Sequence, residues 1–320
     1  MGSATSIDQT EKIICNFEQA QVALNSLSTE HQQLKHWHIW AEKIFIDQPW
    51  YEHLSKSMTI AYARMAIRNG SLNDKPRSYH NEIHINDLLL RVMYCAKHYE
   101  QQLSPNGLAI LSYFAACHDL RQDEAKNENN PQSLVGSNEK ASFGEAQRII
   151  ESLGKNTLWN AHHLLLLKTM IEGSTFGSGG KRSINFFQGN LAKHLLEQLA
   201  LTNKNDEQLV MLACDLDTAN VSSPISEFAQ SAIHIYDELI SHQQASISAH
   251  QFFSQQQKIY FFKQQSFNAT ISQGLFDGHK QQNSKKLIAL SDHIDQLPSD
   301  LSATDIKFAF LSKAQDLDSN

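Results

Sequence analysis

Apolar residues recur in this chain at the spacing of an α-helix, and that period limits the possible folds more than any other feature. Ile13, Phe17, Ala20, Leu24 and Leu27 follow one another at intervals of four and three residues, which places them on one side of a helix. Runs that alternate apolar and polar residues are rare, and no Asn-Gly turn joins two such runs. The pattern therefore predicts an all-α fold, with residues 13–27 on a single first helix.

Two later segments repeat the helical period. "DKPRS" (residues 74–78) places a proline and a serine ahead of an apolar stripe formed by His84, Leu88, Val92 and Cys95, and these residues suit the start of a helix. "SPNGLAILSYFAACHD" (104–119) opens with a serine-proline cap and predicts a helix that reaches His118 and Asp119. Three polar or glycine-rich segments break the pattern without resembling interdomain linkers, namely 122–138, 174–182 and 217–224.

Composition narrows the class of protein. The chain has 320 residues and 41% apolar residues, as a globular protein does. Its net charge is −7 and it has no basic run, so we expect a small substrate and no long nucleic acid. The longest apolar stretches, "LAILSYFAAC" and "HHLLLLKTMI", are shorter than the roughly 20 residues that cross a bilayer, so we expect no membrane partner. The start has no signal segment and the four cysteines form no CxxC pair, which predicts a cytoplasmic protein with buried thiols. The oligomeric state stays open, a homodimer included.

Histidine and aspartate gather in three short segments: His80 and His84 in "RSYHNEIH", His118 and Asp119 in "ACHDL", and Asp215 and Asp217 in "LACDLD". Residues four apart share one side of a helix, so His80 and His84 can face the same pocket. Each feature alone is common, since histidine pairs on helix surfaces and His-Asp dipeptides occur in many chains. However, ionised Asp119 and Asp215 in apolar helices are costly unless they are paired or bind a cation. The combination predicts a site for a divalent metal such as manganese, iron, zinc or magnesium.

The order His84, His118-Asp119, Asp215 resembles the H…HD…D signature of the HD superfamily of metal-dependent phosphohydrolases. "YHNEIH" is similar to the YHNxxH opening of its cyclic nucleotide phosphodiesterase branch. A closer resemblance is to bacterial proteins predicted to be HD-superfamily phosphohydrolases, which share the opening R-x-YHNxxHI and an N-E-x-x-S segment after His-Asp. "RSYHNEIHI" matches the first, and Asn138, Glu139 and Ser142 match the second.

The resemblance implies an HD-domain helical bundle with a metal site at its centre. It places this domain at residues 45–295, between an N-terminal helical extension (1–44) and a C-terminal tail (296–320). One or two divalent ions are implied, manganese, iron, magnesium or zinc, with Asp119 bridging to the second. The implied metal ligands are His84, His118, Asp119 and Asp215. The implied catalytic residues are His80, as general acid, and Asp119, and the implied contacts to substrate or to the ligands are Arg77, Tyr79, Asn81 and Glu139.

The implied reaction is hydrolysis of a small phosphorylated substrate by metal-activated water. The substrate is a phosphomonoester or a phosphodiester, nucleotides included. Arg77 and either Lys181 or Arg182 are candidates for binding phosphate oxygens. The chain departs from the family pattern after His-Asp, where the loop is long and Arg121 with Asp123 stands in place of an aromatic-acid pair. Gln251 and the glutamines after it are candidates for contacting a purine.

Two other functions remain open at the level of sequence. HD-fold di-iron oxygenases carry two further histidines between His-Asp and the last aspartate, and this chain offers His162, His163 and His194 in that interval. The third alternative is a catalytically silent HD fold that serves as a nucleotide-binding or scaffold module. An intact set of ligand residues argues against this last alternative.

Overall fold

The computed structural model describes residues 6–27, 33–124, 136–178, 188–199, 201, 203–242 and 246–319. The chain divides into two compact units, Met1–Leu216 and Asp217–Asn320. The described residues are overwhelmingly helical, so the predicted all-α class is confirmed. The exception is one short antiparallel strand pair in the first unit, β1 (Phe176–Ser178) with β2 (Gln188–Asn190), in which Phe176 lies opposite Asn190.

Ten helices are described in the first unit: α1 (Gln9–Ile13), α2 (Phe17–Leu24), α3 (Gln33–Phe45), α4 (Tyr51–Arg68), α5 (Glu82–His98), α6 (Pro105–Cys117), α7 (Ser137–Ser152), α8 (Ala161–Gly173), α9 (Ala192–Leu199) and α10 (Lys204–Asp217). The boundary between the units falls at the last residue of α10. Asp217 therefore ends a helix whose other residues all belong to the first unit.

Helix α6 forms the centre of the first unit. Every residue from Gly107 to Cys117 is buried, and the helix packs against α4, α5 and α8. Its last turn carries Ala115 and Ala116, whose small side chains allow neighbouring helices to approach closely. Ser104 caps the helix by accepting a hydrogen bond from the backbone N–H of Gly107 at 3.1 Å, as the sequence predicted. The helix ends at Cys117, however, so the prediction that it reaches His118 and Asp119 is wrong: both residues follow it in a turn, His118 buried and Asp119 14% exposed.

The two histidines of "RSYHNEIH" do not share a helix, so that prediction is wrong. Helix α5 begins at Glu82, and Asn81 is its N-cap. The Asn81 side chain accepts a hydrogen bond from the backbone N–H of Ile83 at 2.8 Å and donates one to the carbonyl of Arg77 at 2.7 Å. These local bonds compete with a helical backbone at residues 77–81. His80 therefore lies in the turn ahead of α5, whereas His84 lies in its first turn.

The predicted single helix over residues 13–27 is also wrong. Helix α1 ends at Ile13 and α2 begins at Phe17, because Asn16 starts a new helix by accepting a hydrogen bond from the backbone N–H of Gln19 at 3.0 Å. The break turns Ile13 outward, with 48% of its surface exposed, and buries Ile14. The stripe of α5 is confirmed, since His84, Leu88, Val92 and Cys95 are all buried.

The second unit is also helical. After a 3₁₀ turn (Ala219–Ser222), its helices are α11 (Ile225–Ser241), α12 (Ala249–Gln251), α13 (Gln257–Ile259), α14 (Thr270–Ser272), α15 (Gly278–Asp295) and α16 (Ala303–Ser319), and wider π-helical turns occupy Phe252–Gln256, Tyr260–Gln264 and Gln273–Asp277. Helix α16 packs against α11 and α15. An aromatic cluster fills this core, with the ring centroids of Phe253 and Phe310 4.6 Å apart.

Several sequence expectations concern the whole chain. Among the described residues, none of the helices combines the length and the apolar content needed to cross a bilayer. Cys95, Cys117 and Cys214 are buried as predicted, whereas Cys15 is exposed. The division into residues 1–44, 45–295 and 296–320 stays a prediction.

Candidate metal centre

Four side chains at the ends of three helices form the candidate metal centre. His84, His118, Asp119 and Asp217 each offer one ligand atom, and these atoms all lie within 4.8 Å of one another. His84 comes from the first turn of α5, His118 and Asp119 follow the last turn of α6, and Asp217 is the last residue of α10. The C-terminal dipoles of α6 and α10 favour a cation at their ends, while the N-terminus of α5 opposes it. The group can hold a divalent metal ion.

One carboxylate oxygen lies near three imidazoles. Asp119 Oδ2 is 2.9 Å from His118 Nε2, 3.6 Å from His84 Nε2 and 4.0 Å from His80 Nε2. The other oxygen, Oδ1, accepts a hydrogen bond from the Gln122 amide at 2.8 Å. Atoms bound to one ion at 2.0–2.2 Å in perpendicular directions lie about 3 Å apart. The spacing of the Asp119, His118 and His84 atoms is close to that of ligands around one ion.

Neighbouring rings hold the imidazoles in place. The His84 ring lies 4.8 Å from the ring of Tyr79 and 5.3 Å from that of His118, measured between centroids. The His118 ring lies 4.9 Å from that of Phe114, one turn earlier in α6. Packing between these rings restricts the orientation of each imidazole and therefore the direction of its nitrogen atoms. Tyr79, which the sequence offered as a contact to substrate or ligands, packs on the ring of His84.

The His80 side chain is more exposed than those of Asp119, His84 and His118. The His80 side chain is 29% exposed and that of Asp119 is 14% exposed, whereas the His84 and His118 side chains are 3% and 1% exposed. Placing carboxylates among buried side chains is costly unless a cation or hydrogen bonds compensate. Two imidazoles with two carboxylates suit the first-row transition ions and also admit magnesium. The chemistry of the donor set therefore fits a divalent ion.

The fourth member of the group differs from the sequence prediction. Asp217 belongs to it, and Asp215 does not. Positions two apart on a helix point about 200° away from each other, so only one of these two aspartates can face the other ligands. Asp215 is fully buried on α10. The sequence showed both aspartates in "LACDLD", but the choice between them depends on the rotation of α10.

Asn81 and Arg77, two of the predicted contacts to substrate or to metal ligands, have different partners. Asn81 uses its amide to start α5, as described above, and is buried. Arg77 is also buried, and its guanidinium pairs with the carboxylate of Asp123, whose side chain is 78% exposed. The Arg77–Asp123 ion pair thus joins a buried guanidinium to an exposed carboxylate. Gln122, which donates to Asp119, was not anticipated because it lies in a polar segment that the sequence predicted only as a break.

Glu139 lies in the first turn of α7, close enough to the group to interact with it electrostatically. Burial raises the pKa of its carboxyl, and the charge of Asp119 adds to this effect. Bonds to its own backbone N–H and to Thr175, together with His118, act in the opposite direction. Glu139 is therefore a half-buried acid within electrostatic reach of Asp119 and His118, and its contact to substrate or metal ligands stays a prediction.

The other histidines do not join the centre. His162 Nε2 lies 3.0 Å from Asp206 Oδ2 near the surface, and His194 Nε2 lies 2.8 Å from the Gln198 amide. Neither these two nor His163 belongs to a metal-binding group among the described residues. Gln251 is exposed at the end of α12. Lys181 and Arg182, the other candidates for phosphate contacts, lie outside the described residues.

No protein-family model matches the chain, and no curated protein matches its sequence. The candidate centre is therefore described by its own geometry.

Proposed function

We propose that this chain is a metal-dependent phosphohydrolase of the HD type that cleaves a phosphoester bond of a small substrate. One observation carries the proposal: two histidines and two aspartates, distant in sequence, offer ligand atoms within 4.8 Å of one another. The order of these residues along the chain, with His80 just before the first of them, resembles the HD signature. The resemblance supplies the class of reaction, and the geometry supplies the residues.

The ligands in this proposal are His84, His118, Asp119 and Asp217, with Asp217 in place of Asp215. A divalent ion supplies a site at which a water molecule loses a proton near neutral pH and at which phosphate charge is neutralised. The proposal comprises one or two divalent ions, with manganese, iron, magnesium and zinc as candidates, and these four residues would hold the first. The enclosing side chains limit access by bulk water.

His80 is the proposed general acid. Its Nε2 lies 4.0 Å from Asp119 Oδ2, and its side chain is the most exposed of the three imidazoles. A proton held at this position can pass to the departing oxygen of a substrate that enters from the exposed side. Such a transfer contributes on the order of 10²–10⁴ in rate. His80 lies in a turn and outside the group of four, so its proposed role in proton donation is separate from metal binding.

Arg77 is the proposed phosphate contact. A buried guanidinium presents several donors in one plane, a geometry that matches phosphate oxygens. Its partner Asp123 is largely exposed, so an incoming phosphate can take the place of that carboxylate. The net charge of −7 and the lack of a basic run in the sequence argue for a compact substrate with few phosphates, because binding a long polyanion requires many cationic contacts.

The proposal is tested with protein stripped by a chelator and assayed on phosphomonoesters, phosphodiesters and nucleotides, with manganese, magnesium, iron or zinc added back. We expect metal-dependent turnover of at least one compound by the wild type, and none by Asp119→Ala. Turnover that does not depend on metal, or that persists in Asp119→Ala, contradicts the proposal. Dependence of turnover on dioxygen would instead indicate an oxygenase.

A further inference from the structure

A second polar cluster lies in the first unit, which also contains His84, His118 and Asp119. We call it the arginine–carboxylate cluster, and its members are Asp8, Glu11, Arg64, Arg68, Arg121, Glu124, Glu145 and Arg148. Three of its carboxylates, those of Asp8, Glu11 and Glu145, offer oxygen atoms that lie within 4.8 Å of one another. Two come from the N-terminal segment (residues 6–14), and Glu145 comes from α7.

Guanidinium groups occupy the positions around these carboxylates. Glu11 Oε1 accepts from Arg121 at 3.2 Å and from Arg148 at 2.7 Å. Glu11 Oε2 lies 3.4 Å from Arg64 Nη1. The Glu11 side chain is only 4% exposed, so these arginines supply the cations that its burial requires. The cluster therefore shares the grouped carboxylates of a metal site, but arginines supply its positive charge.

The N-terminal segment also bonds to α4. Asp8 accepts from Arg68 at 2.7 Å and 3.0 Å, one bond to each carboxylate oxygen. Arg64 donates to the carbonyl of Ile14 at 2.8 Å and 3.0 Å. Arg68 also contacts Glu145 at 2.9 Å. The segment thus meets the same arginines that contact the acid of α7.

The cluster is bonded to the backbone that follows the ligand pair His118-Asp119. Arg68 Nη1 donates to the carbonyl of Leu120 at 2.7 Å. The next residue, Arg121, donates its backbone N–H to Ser142 Oγ at 3.0 Å and donates from Nη1 to the carbonyl of Ser6 at 3.1 Å. The chain just after Asp119 is therefore held by α4, α7 and the N-terminal segment.

The positive and negative charges of the cluster are equal in number only when Asp8 and Glu11 of the N-terminal segment are included. Its arginines Arg64, Arg68, Arg121 and Arg148 face the carboxylates of Asp8, Glu11, Glu145 and Glu124, the last of which pairs with Arg121. Removal of the Asp8 and Glu11 charges leaves an excess of positive charge behind Asp119. Positive charges repel a metal cation more strongly in a protein interior than in water, so this excess disfavours metal binding nearby.

We propose that the N-terminal segment (residues 6–14) positions the metal centre, with Asp8 and Glu11 as positioning residues that orient Arg68 and Arg121 and balance their positive charge. Neither residue is among the proposed metal ligands. The inference rests on the proposed function in one respect, namely that the group of four binds a metal. It assigns to the N-terminal helix a role in metal affinity that reaches beyond its packing.

The test measures manganese affinity by calorimetric titration of the full-length, chelator-treated protein. Asp8→Asn keeps an acceptor for the α1 cap, where Asp8 now accepts from the Glu11 N–H at 2.9 Å, but removes the charge. Glu11→Gln makes the corresponding change at the centre of the cluster. Substitutions of residues that support metal ligands typically weaken metal binding about 10- to 100-fold, and we expect losses in this range for Glu11→Gln and smaller ones for Asp8→Asn.

Two further variants separate positioning from packing. Adding Arg148→Gln to Glu11→Gln restores the charge balance, so we expect most of the manganese affinity to return while the melting temperature of the metal-free protein stays low. Glu18→Gln makes the same chemical change at an exposed site on α2 and should leave affinity unchanged. If Glu11→Gln does not fold, Asp8→Asn alone decides, because Asp8 is only partly buried.

The outcomes distinguish this inference from the proposed function. Wild-type protein that binds no manganese, iron or zinc removes both. Wild-type protein that binds manganese, with Asp8→Asn and Glu11→Gln variants that bind it equally well, overturns the positioning role alone. Affinity that stays low after Arg148→Gln is added contradicts the role of charge balance.

Discussion

The arginine–carboxylate cluster and the candidate metal centre both group carboxylates, but they differ in what surrounds them. In the arginine–carboxylate cluster, guanidinium groups contact Asp8, Glu11 and Glu145 from several sides. In the candidate metal centre, Asp119 is surrounded by His84 and His118, whose rings can be neutral. The first cluster carries its own cations, and the second carries neutral donors with two carboxylates. Proximity of acids is common to both, so the identity of the neighbouring bases separates a structural network from a metal site.

The sharpest contrast within the metal centre compares Asp217→Asn with Asp215→Asn. Only Asp217 belongs to the group of four, although the two residues are neighbours on α10. We expect Asp217→Asn to weaken manganese binding by at least about 100-fold, and Asp215→Asn to change it much less. Calorimetric titration of both variants measures the difference. Equal losses, or a larger loss for Asp215→Asn, would restore the ligand that the sequence suggested.

His80→Ala tests whether the histidine outside the group has a separate task. We expect the variant to keep its metal and to lose about 10²–10⁴ in turnover, because a general acid is missing. The loss should shrink for a nitrophenyl ester, whose leaving group needs little protonation. Elemental analysis and steady-state assays on both classes of ester provide the measurement. Loss of metal from His80→Ala would place this histidine among the ligands.

Arg64→Met tests the structural cluster. Arg64 lies 3.4 Å from Glu11 and 3.2 Å from Glu145, and all three side chains are at most 6% exposed. Removal of one partner from a buried ion network typically costs 3–5 kcal/mol, because the remaining charges lose their compensation. We expect a loss of about this size in the free energy of unfolding, measured with urea on metal-free protein. A clearly smaller loss than in Asp119→Asn, measured alongside, would reverse the contrast between the two clusters.

The pH dependence of Asp8 gives the smallest expected effect. Burial raises the pKa of this carboxyl, but bonds from Arg68 and the Glu11 backbone, with the charges of Arg68 and Arg121, outweigh burial and hold the pKa below its ordinary 3.8. A lowered pKa stabilises the folded state above the ordinary value, and this stabilisation disappears as the pH falls through the folded-state pKa. The stability difference between wild type and Asp8→Asn should therefore shrink below about pH 3.8. A difference that is constant between pH 7 and pH 3 in urea unfolding argues against the ion pair.

The sequence was sufficient for the helical class and singled out three of the four residues of the candidate group. His84 lies on an apolar stripe, and His118 and Asp119 directly follow an apolar helix, so periodicity predicted that His84 and His118 are buried. The same periodicity could not locate the start of α5, because the bonds of Asn81 begin the helix after His80. It could not choose between Asp215 and Asp217 either, since both end the same apolar run.

The arginine–carboxylate cluster had no signal in the sequence. Asp8 and Glu11 lie in a short N-terminal helix, while Arg121 and Glu145 come from distant parts of the chain. Charged residues scattered at such separations look like solvated surface positions until the chain is folded. Only the tertiary arrangement shows that they are buried together.

The most direct test of the central claim is elemental mass spectrometry of wild-type protein and of Asp119→Ala, after incubation with manganese, iron and zinc and removal of unbound metal. His84, His118, Asp119 and Asp217 offer ligand atoms within 4.8 Å of one another, so we expect close to one or two ions per wild-type chain and almost none in the variant. The melting temperature of the wild type should rise with metal, since a ligand that binds only the folded state stabilises it. A wild-type chain that stays free of metal, or an Asp119→Ala variant that retains it, would contradict the assignment of this group as a metal centre.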